Sequence, residues 1–368
     1  MTINSYMPVQ IISGKGCFNE NYKLLGRFGK SCLIVTGGSS AKKCGALSDV
    51  AAALEKLGIS YSVFDGITEN PQTADCHSAG ECARSIDADF IIGIGGGSPL
   101  DASKAIAIYA SNPNLSPADI YLRKYDNKPL PVVLVGTTSG TGSEVTGVSV
   151  LTDSSVGLKK SISGPDCYAV ISFCDYTYTM TMPYSVTVST ALDAFAHAVE
   201  GYFSSTANDM SDVYAEKAFN MLRTGLLHFF NNRTMPEESL REELYMASLV
   251  AGLCLNITGT CFPHTMGYIL TEDFGIAHGR ACAAFIPDFI KISAENMPSK
   301  AQKLFDIMGM DCDTLCNLID VLADINIEIN DEQMSEYENR WTDPVKNFSR
   351  TPGNFTSATA VDILKKYN

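Results

Sequence analysis

Phe90-Ile91-Ile92-Gly93-Ile94 runs straight into Gly95-Gly96-Gly97-Ser98 and then into Pro99-Leu100-Asp101-Ala102-Ser103-Lys104-Ala105-Ile106. A short apolar run without alternation reads as a strand buried on both faces, and the segment after the glycines has the make-up of a helix start. Residues lacking a Cβ let backbone N–H groups come close to a phosphate, and the positive end of the following helix adds to the attraction. The spacing is not Gly-x-Gly-x-x-Gly, so a tight turn without a ligand is the competing reading. Asp101 is open either to capping the helix or to orienting a ribose or amide. Under both readings, strand-turn-helix is the repeating unit of a parallel α/β sheet.

The same unit recurs on either side. Cys32–Thr36 reads as a buried strand ended by Gly37-Gly38-Ser39-Ser40, followed by a helix over 47–57, a strand over 61–64 and a helix over 73–85. Pro131–Val135 is a further strand, and Gly136-Thr137-Thr138-Ser139-Gly140-Thr141-Gly142-Ser143-Glu144 follows at its carboxyl end. Hydroxyls and amides packed that densely suit a polar ligand lying over the strand ends, where open α/β sheets bind theirs. After Val148-Ser149-Val150 and Lys159–Ile162, a last strand is expected at Tyr168–Ser172. Around Met182-Pro183 the texture changes: from Val186 onward the periodic segments read as helices, notably 214–229 and 237–255, with no convincing strand. The expected organisation is an α/β nucleotide-binding domain over residues 1–182 and an all-α domain over 183–368.

The helical half opens on Ser189-Thr190-Ala191-Leu192-Asp193-Ala194-Phe195-Ala196-His197-Ala198-Val199-Glu200. It reads as a helix start, with Ser189 or Thr190 placed to cap the first turn. Asp193 and His197, four residues apart, share one helical face, where a carboxylate and an imidazole are close enough to hold one ion. Such pairs also form on ordinary helix surfaces. Histidine is scarce, however, with five in 368 residues, and two of the others stand as His264 in Phe262-Pro263-His264-Thr265 and His278 in Ala277-His278-Gly279-Arg280. One straight helix would hold those two about 21 Å apart. A break at the polar, glycine-terminated Thr271-Glu272-Asp273-Phe274-Gly275 would fold His278 back beside His264. One carboxylate and three imidazoles would then surround a divalent ion.

Composition narrows the function classes. A formal charge of −14 and a pI near 4.8 oppose a nucleic acid or an anionic membrane as partner. The first sixteen residues lack a basic segment followed by an apolar one, and no later run approaches the roughly 20 apolar residues of a membrane span. A cytoplasmic protein is expected. The twelve cysteines are scattered with no Cys-x-x-Cys, as reduced core thiols would be. Cys312 and Cys316 stand at helical spacing, but two thiolates without further ligands make a poor zinc site.

Taken together, Gly95-Gly96-Gly97-Ser98-x-x-Asp101, the run Thr137–Glu144, Asp193-x-x-x-His197-x-x-Glu200 and the His264/His278 pair resemble the iron-containing (metal-dependent) alcohol dehydrogenase family, in order and separation, over essentially the whole chain. The resemblance implies a dehydroquinate-synthase-like α/β fold that binds NAD(P), followed by a helical metal domain. It implies Asp193, His197, His264 and His278 as ligands of Fe2+, with Zn2+ as the other candidate. It also implies a cofactor cradle made of Gly95, Gly96, Gly97, Ser98, Asp101, Thr137, Thr138, Thr141 and Ser143, with Lys159 as a weaker match. The reaction implied is hydride transfer between nicotinamide and a small alcohol or aldehyde, the ion polarising the oxygen, in a homodimer or larger homo-oligomer. Many members carry a second histidine four residues beyond the ligand matching His264. Here that position is Tyr268, so a histidine relay is absent and the phenol becomes the candidate for moving a proton. A metal- and NAD-dependent lyase of the dehydroquinate synthase type is the alternative, though it would need more basic side chains near the metal stretches than Arg280. A binding protein that has lost catalysis is opposed by the intact ligand set.

The end of the first strand bears on cofactor choice. A carboxylate there accepts from the ribose 2′-hydroxyl of NAD and repels a 2′-phosphate. Gly37-Gly38-Ser39 carries none, leaves room and offers donors, and Lys42 or Lys43 adds positive charge. NADP(H) is therefore expected over NAD(H).

Overall fold

The computed structural model describes residues 5–368. Residues 1–4, which belong to the expected first domain, lie outside the described residues. The chain forms two compact units, Tyr6–Met182 and Pro183–Asn368.

In the first unit the strands are β1 (Gln10–Ser13), β2 (Ser31–Thr36), β3 (Ser60–Phe64), β4 (Phe90–Gly95), β5 (Val132–Gly136), β6 (Val148–Asp153), β7 (Leu158–Ser163) and β8 (Ile171–Cys174). Its helices are α1 (Cys17–Asn21), α2 (Ser40–Lys43), α3 (Ala46–Leu57), α4 (Thr73–Ser85) and α5 (Gly97–Ser111). Six strands pair in parallel in the order β1-β8-β5-β4-β2-β3, while β6 and β7 form a separate antiparallel pair. Alternation along each strand feeds two cores. Leu33, Val35, Ile91 and Leu134 pack on one face with Leu100, Ile106 and Tyr109 of α5. Cys32, Ile34, Ile92, Ile94, Val133 and Val135 pack on the other with Val50 and Leu54 of α3. Helices on both faces explain why these strands read as unbroken apolar runs.

The last strand differs from expectation: it begins at Ile171, not Tyr168. Residues 165–167 form a single 3-10 turn, and Tyr168 is used outside the ladder, its hydroxyl donating to Tyr6 O while its ring occupies the space a side chain at Gly147 would fill. The sheet also has an edge strand, β1, that the sequence reading missed; four residues paired only with β8 give too short a pattern to detect.

The second unit holds α6 (Tyr184–Phe203), α7 (Asp209–Asn232), α8 (Glu238–Thr258), α9 (Phe262–Phe274), α10 (His278–Ala283), α11 (Ile286–Asn296), α12 (Pro298–Met308), α13 (Cys312–Ala323), α14 (Asp331–Glu338) and α15 (Ser357–Leu364), with no strand among the described residues. α6 is its centre: 16 of its 20 residues are buried, as befits a helix that is apolar nearly all round. Leu192, Phe195, Val199 and Phe203 pack with Ala215, Phe219 and Leu222 of α7 and Ala247 and Ala251 of α8. This helix starts at Tyr184, after Pro183, rather than at Ser189. Thr190 lies in its interior and its hydroxyl donates to Thr187 O instead of capping. Proline fixes the entry, and burial from Thr187 onward overrides the weak helix propensity of Thr187 and Val188. No single helix among the described residues is long and apolar enough to cross a membrane, and all twelve cysteines are free thiols.

Candidate metal and nucleotide sites

Asp193 and His197 project from the same face of α6, one turn apart. α9 enters through Phe262-Pro263, proline being suited to the first turn, and carries His264 next. It ends at Gly275, whose φ of 65° is the left-handed conformation in which glycine closes a helix, and α10 then opens on His278 itself. The chain can double back this tightly because of Gly279. A Cβ there would stand 1.8 Å from Ser189 O and 2.9 Å from the Asp193 Cβ, so α10 lies directly on α6. The His264 and His278 rings end 5.4 Å apart, and those of His197 and His264 are stacked at 4.6 Å.

All three imidazoles face one atom. Asp193 Oδ1 is 3.8 Å from His197 Nε2, 3.6 Å from His264 Nε2 and 3.8 Å from His278 Nε2. Four donors around an ion at ~2.1 Å would stand roughly 3.4 Å apart in a tetrahedron, so the cluster needs only slight contraction to hold one. Asp193 Oδ1 and His264 Nε2 are both buried and make no hydrogen bond among the described residues, an arrangement of acceptors that a cation between them would satisfy. Burial alone would raise the Asp193 carboxyl, but the imidazoles of His197, His278 and His264 outweigh it and hold the group well below the usual carboxylate range. Burial likewise pushes the His264 imidazole down, and Cys282, Glu200 and Asp193 together push it well above the ordinary histidine value. Three of the four side chains are almost wholly enclosed, whereas His278 is 32% exposed. The exposed edge of the cluster is thus the His278 side, where the half-buried Tyr268 stacks on that ring at 5.9 Å.

Cys282, one turn after His278, also enters this cluster: its Sγ and donor atoms of Asp193, His264 and His278 all lie within 4.8 Å of one another. The sulfur is 3.7 Å from both ring nitrogens of His278. Equal distances put it beside the ring instead of beyond the Nε2 lone pair; His197 is not among the donors that all lie within 4.8 Å of one another. Burial holds the Cys282 thiol above its ordinary pKa. Sequence reasoning gave no role to Glu200, which is fully buried, with Oε1 2.5 Å from His264 Nδ1 and Oε2 accepting from Cys261 N at 2.7 Å. The available signal was spacing: Glu200 lies seven residues after Asp193 and three after His197, on the same helical face.

In the first unit the carboxyl ends of β2, β4 and β5 stand side by side, with Thr36 opposite Ile94 and Gly95 opposite Gly136. The loops beyond them touch. Thr137 N donates to Gly95 O, and side chains at Gly96 and Gly97 would collide with Thr138 and Thr141. Thr138 Oγ1 is buried and makes no hydrogen bond among the described residues. Asp101 and Ser143, expected in the cofactor cradle, are joined in a largely buried network. Ser143 Oγ donates to Asp101 Oδ1, Val150 N donates to Asp101 Oδ2, and the fully buried Lys104 donates to Ser143 Oγ, Thr146 O and Val148 O. Asp101 therefore does not cap α5, and both of its carboxylate oxygens already accept hydrogen bonds. Ser98 lies in the first turn of α5, and Lys159 is on β7 opposite Thr152, in the two-stranded hairpin. The room expected at Gly37 is absent, since a Cβ there would stand 2.8 Å from Ile67 O. Gly38 has open space and a φ of 39°, and Ser39 is exposed beside it. Lys42 pairs with Asp65 at 3.1 Å.

Comparison with known proteins gives the same architecture. Iron-containing alcohol dehydrogenase matches residues 8–176, and the C-terminal domain of the Fe-containing alcohol dehydrogenase family matches residues 187–335. The chain belongs to the iron-containing alcohol dehydrogenase family. An iron-containing alcohol dehydrogenase from Thermotoga maritima superposes on this dehydrogenase with a TM-score of 0.91 at 33% identity, covering 100% of this chain and 99% of the other. Sulfoacetaldehyde reductase from Bifidobacterium kashiwanohense, solved in complex with NAD+, gives 0.88 at 25% identity, covering 100% and 99%. The NADPH-dependent butanol dehydrogenase of Clostridium saccharobutylicum is 29% identical over 88% of this chain and 82% of its own. The dehydrogenase is thus an NAD(P)-dependent oxidoreductase acting on CH–OH groups, with an α/β domain followed by a helical one. The lyase alternative is not favoured. Arg280, the one arginine beside the cluster in sequence, spends its guanidinium on Ala323 O and on the Asp324 carbonyl and carboxylate.

Proposed function

We propose that this dehydrogenase interconverts a small aldehyde and its alcohol with NADPH in preference to NADH, using a divalent ion held by Asp193, His197, His264 and His278. The observation that carries the reading is the convergence of three imidazole Nε2 atoms on one buried, hydrogen-bond-free carboxylate oxygen. Iron(II), or zinc in its place, supplies Lewis acidity toward the substrate oxygen when bound there, and the nicotinamide supplies the hydride. Nitrogen and oxygen donors accept either metal, and affinity order does not favour iron, so occupancy follows supply. The protein's own part is positional. Burial of Asp193, His197 and His264 keeps water from three sides, and the exposed edge of His278 leaves the fourth open to substrate. The Tyr268 hydroxyl, in place of the histidine many relatives carry, holds and passes the proton. Gly95, Gly96, Gly97 and Ser98, with Thr137, Thr138 and Thr141, cradle the cofactor phosphates, while Asp101 and Ser143 stiffen that cradle from inside. Lys159 is assigned a cofactor contact from the hairpin. The enzyme works in the cytoplasm as a homodimer or larger assembly.

NADPH preference rests on the carboxylate-free end of β2 and the open space at Gly38. The ion pair with Asp65 engages Lys42, while Lys43 makes no ion pair among the described residues.

The test combines metal analysis with turnover. His264→Ala and His278→Ala should each lose tight metal binding and aldehyde reduction while keeping their helical circular dichroism. Normal metal content in either variant would contradict the ligand set. For the cofactor, kcat/KM with NADPH and NADH should be compared in wild type and Gly38→Asp, since aspartate tolerates a left-handed φ whereas a side chain at Gly37 meets Ile67 O. NADH preferred by wild type, or undiminished NADPH use in the variant, would overturn the assignment. Tyr268→Phe removes only the hydroxyl, and an unchanged rate across pH would eliminate its part in proton transfer.

A further inference from the structure

We propose that Glu200 is the positioning residue that decides which nitrogen of His264 faces the metal cluster; this rests on the ligand set proposed above. Glu200 is fully buried on α6, and each of its oxygens meets a nitrogen: Oε2 the Cys261 amide at 2.7 Å, Oε1 His264 Nδ1 at 2.5 Å. The amide can only donate. A carboxylate can accept on both oxygens, so Oε1 accepts from Nδ1 as Oε2 does from the amide. In the neutral ring that a metal ligand must be, the His264 proton therefore sits on Nδ1.

The consequence appears at the other edge of the ring. Nε2 carries its lone pair toward Asp193 Oδ1, 3.6 Å away, with no hydrogen bond of its own. In the opposite tautomer an Nε2–H would point at that carboxylate and close the site with a direct hydrogen bond. Glu200 holds the open form. It also ties the turn before α9 to α6 through Cys261, so one side chain fixes both the ring's place and its tautomer. Carboxylates that orient metal-ligating histidines in this way contribute typically 10–100-fold in metal affinity.

Glutamine at this position separates the two roles. Its single carbonyl oxygen can face only one of the two nitrogens. If that oxygen keeps the Cys261 amide, the NH2 group turns toward Nδ1, takes its lone pair as acceptor and drives the proton onto Nε2. A purely structural Glu200 would lose little by this; a tautomer-setting one loses the site.

The experiment titrates cobalt(II) into purified full-length wild type, Glu200→Gln and Asp193→Ala, reading the visible ligand-field bands and measuring affinity by chelator competition. Nitrogen-15 shifts of the labelled histidines are read in wild type, with His264→Ala assigning the ring. We expect an Asp193-dependent four-coordinate spectrum in wild type, a 10–100-fold weaker affinity in Glu200→Gln, and protonation of His264 at Nδ1. If Glu200→Gln binds cobalt(II) as tightly as wild type while Asp193→Ala does not, the positioning role is wrong and the ligand set stands. If Asp193→Ala also binds unchanged, the ligand set itself fails, and this inference with it. Should Glu200→Gln not fold, the wild-type shifts decide alone, read where the ring is neutral: a neutral His264 with its proton on Nε2 overturns the proposal.

Discussion

Gly279→Ala adds a single methyl group in the second turn-facing layer of the metal cluster, and its effect follows from one contact. The new Cβ would lie 1.8 Å from Ser189 O and 2.9 Å from the Asp193 Cβ. Ordinary carbon–oxygen contact begins at about 3.3 Å, so α10 must retreat from α6 by roughly 1.5 Å along that line. Ser189 O is helix backbone and the Asp193 Cβ is fixed to it, so neither can rotate out of the way as the far end of a side chain would. His278 leads α10 and moves with it. Its Nε2, now 3.8 Å from Asp193 Oδ1, would pass about 5 Å, beyond the roughly 3.4 Å that two ligands of one ion span. Overpacking of this kind costs about 1–3 kcal/mol, or several degrees of Tm in a domain of this size. The variant should therefore melt lower and bind cobalt(II) at least tenfold more weakly than wild type. Thermal unfolding by circular dichroism and chelator competition measure the two effects separately. An unchanged Tm with unchanged affinity would refute the close-packing argument; a lower Tm with unchanged affinity would show that His278 does not depend on α10 for its place.

Three further outcomes are expected. Lys104→Met leaves the Asp101 carboxylate without its buried cation and strips donors from Thr146 O and Val148 O; denaturant unfolding should show a loss of about 3 kcal/mol, and a loss under about 1 kcal/mol would argue against the network. Asp153 is held down to about 2 by Lys160 and by the Ser155 hydroxyl and amide. A depressed carboxylate stabilises the fold above its unfolded value and loses that contribution as pH falls through its folded value, so stability should drop between about pH 4 and pH 2, and Asp153→Asn should flatten that part of the curve. Gly275→Ala, at a φ of 65°, should cost about 1 kcal/mol and leave α9 intact, as hydrogen exchange at the α9–α10 turn can test.

Much of this was legible in the residues. The apolar runs of β2, β4 and β5 are buried on both faces, so hydrophobicity alone identified them, and helical spacing alone put Asp193 and His197 together. Gly275 announced the break that brings His278 to His264. What stayed hidden depended on distances between segments far apart in sequence. Neither the 1.8 Å approach at Gly279 nor the Ile67 carbonyl that blocks Gly37 leaves a local signature. The network around Asp101 was hidden because Ser143 and Val150 become its neighbours only when the β6 segment packs on α5. The start of α6 was misread because Pro183, and not a capping side chain, sets it.

The burial of α6 on nearly every side also limits how this enzyme can diversify. A helix that supplies reactive groups from one stripe and core packing from all the others leaves no position where a substitution is merely local. Variation in what the enzyme accepts must then accumulate elsewhere, on residues such as Tyr268 that face the more exposed edge of the cluster. Directed evolution of substrate range would do best to leave Tyr184–Phe203 untouched and to randomise the outward positions of the two short helices that carry His264 and His278.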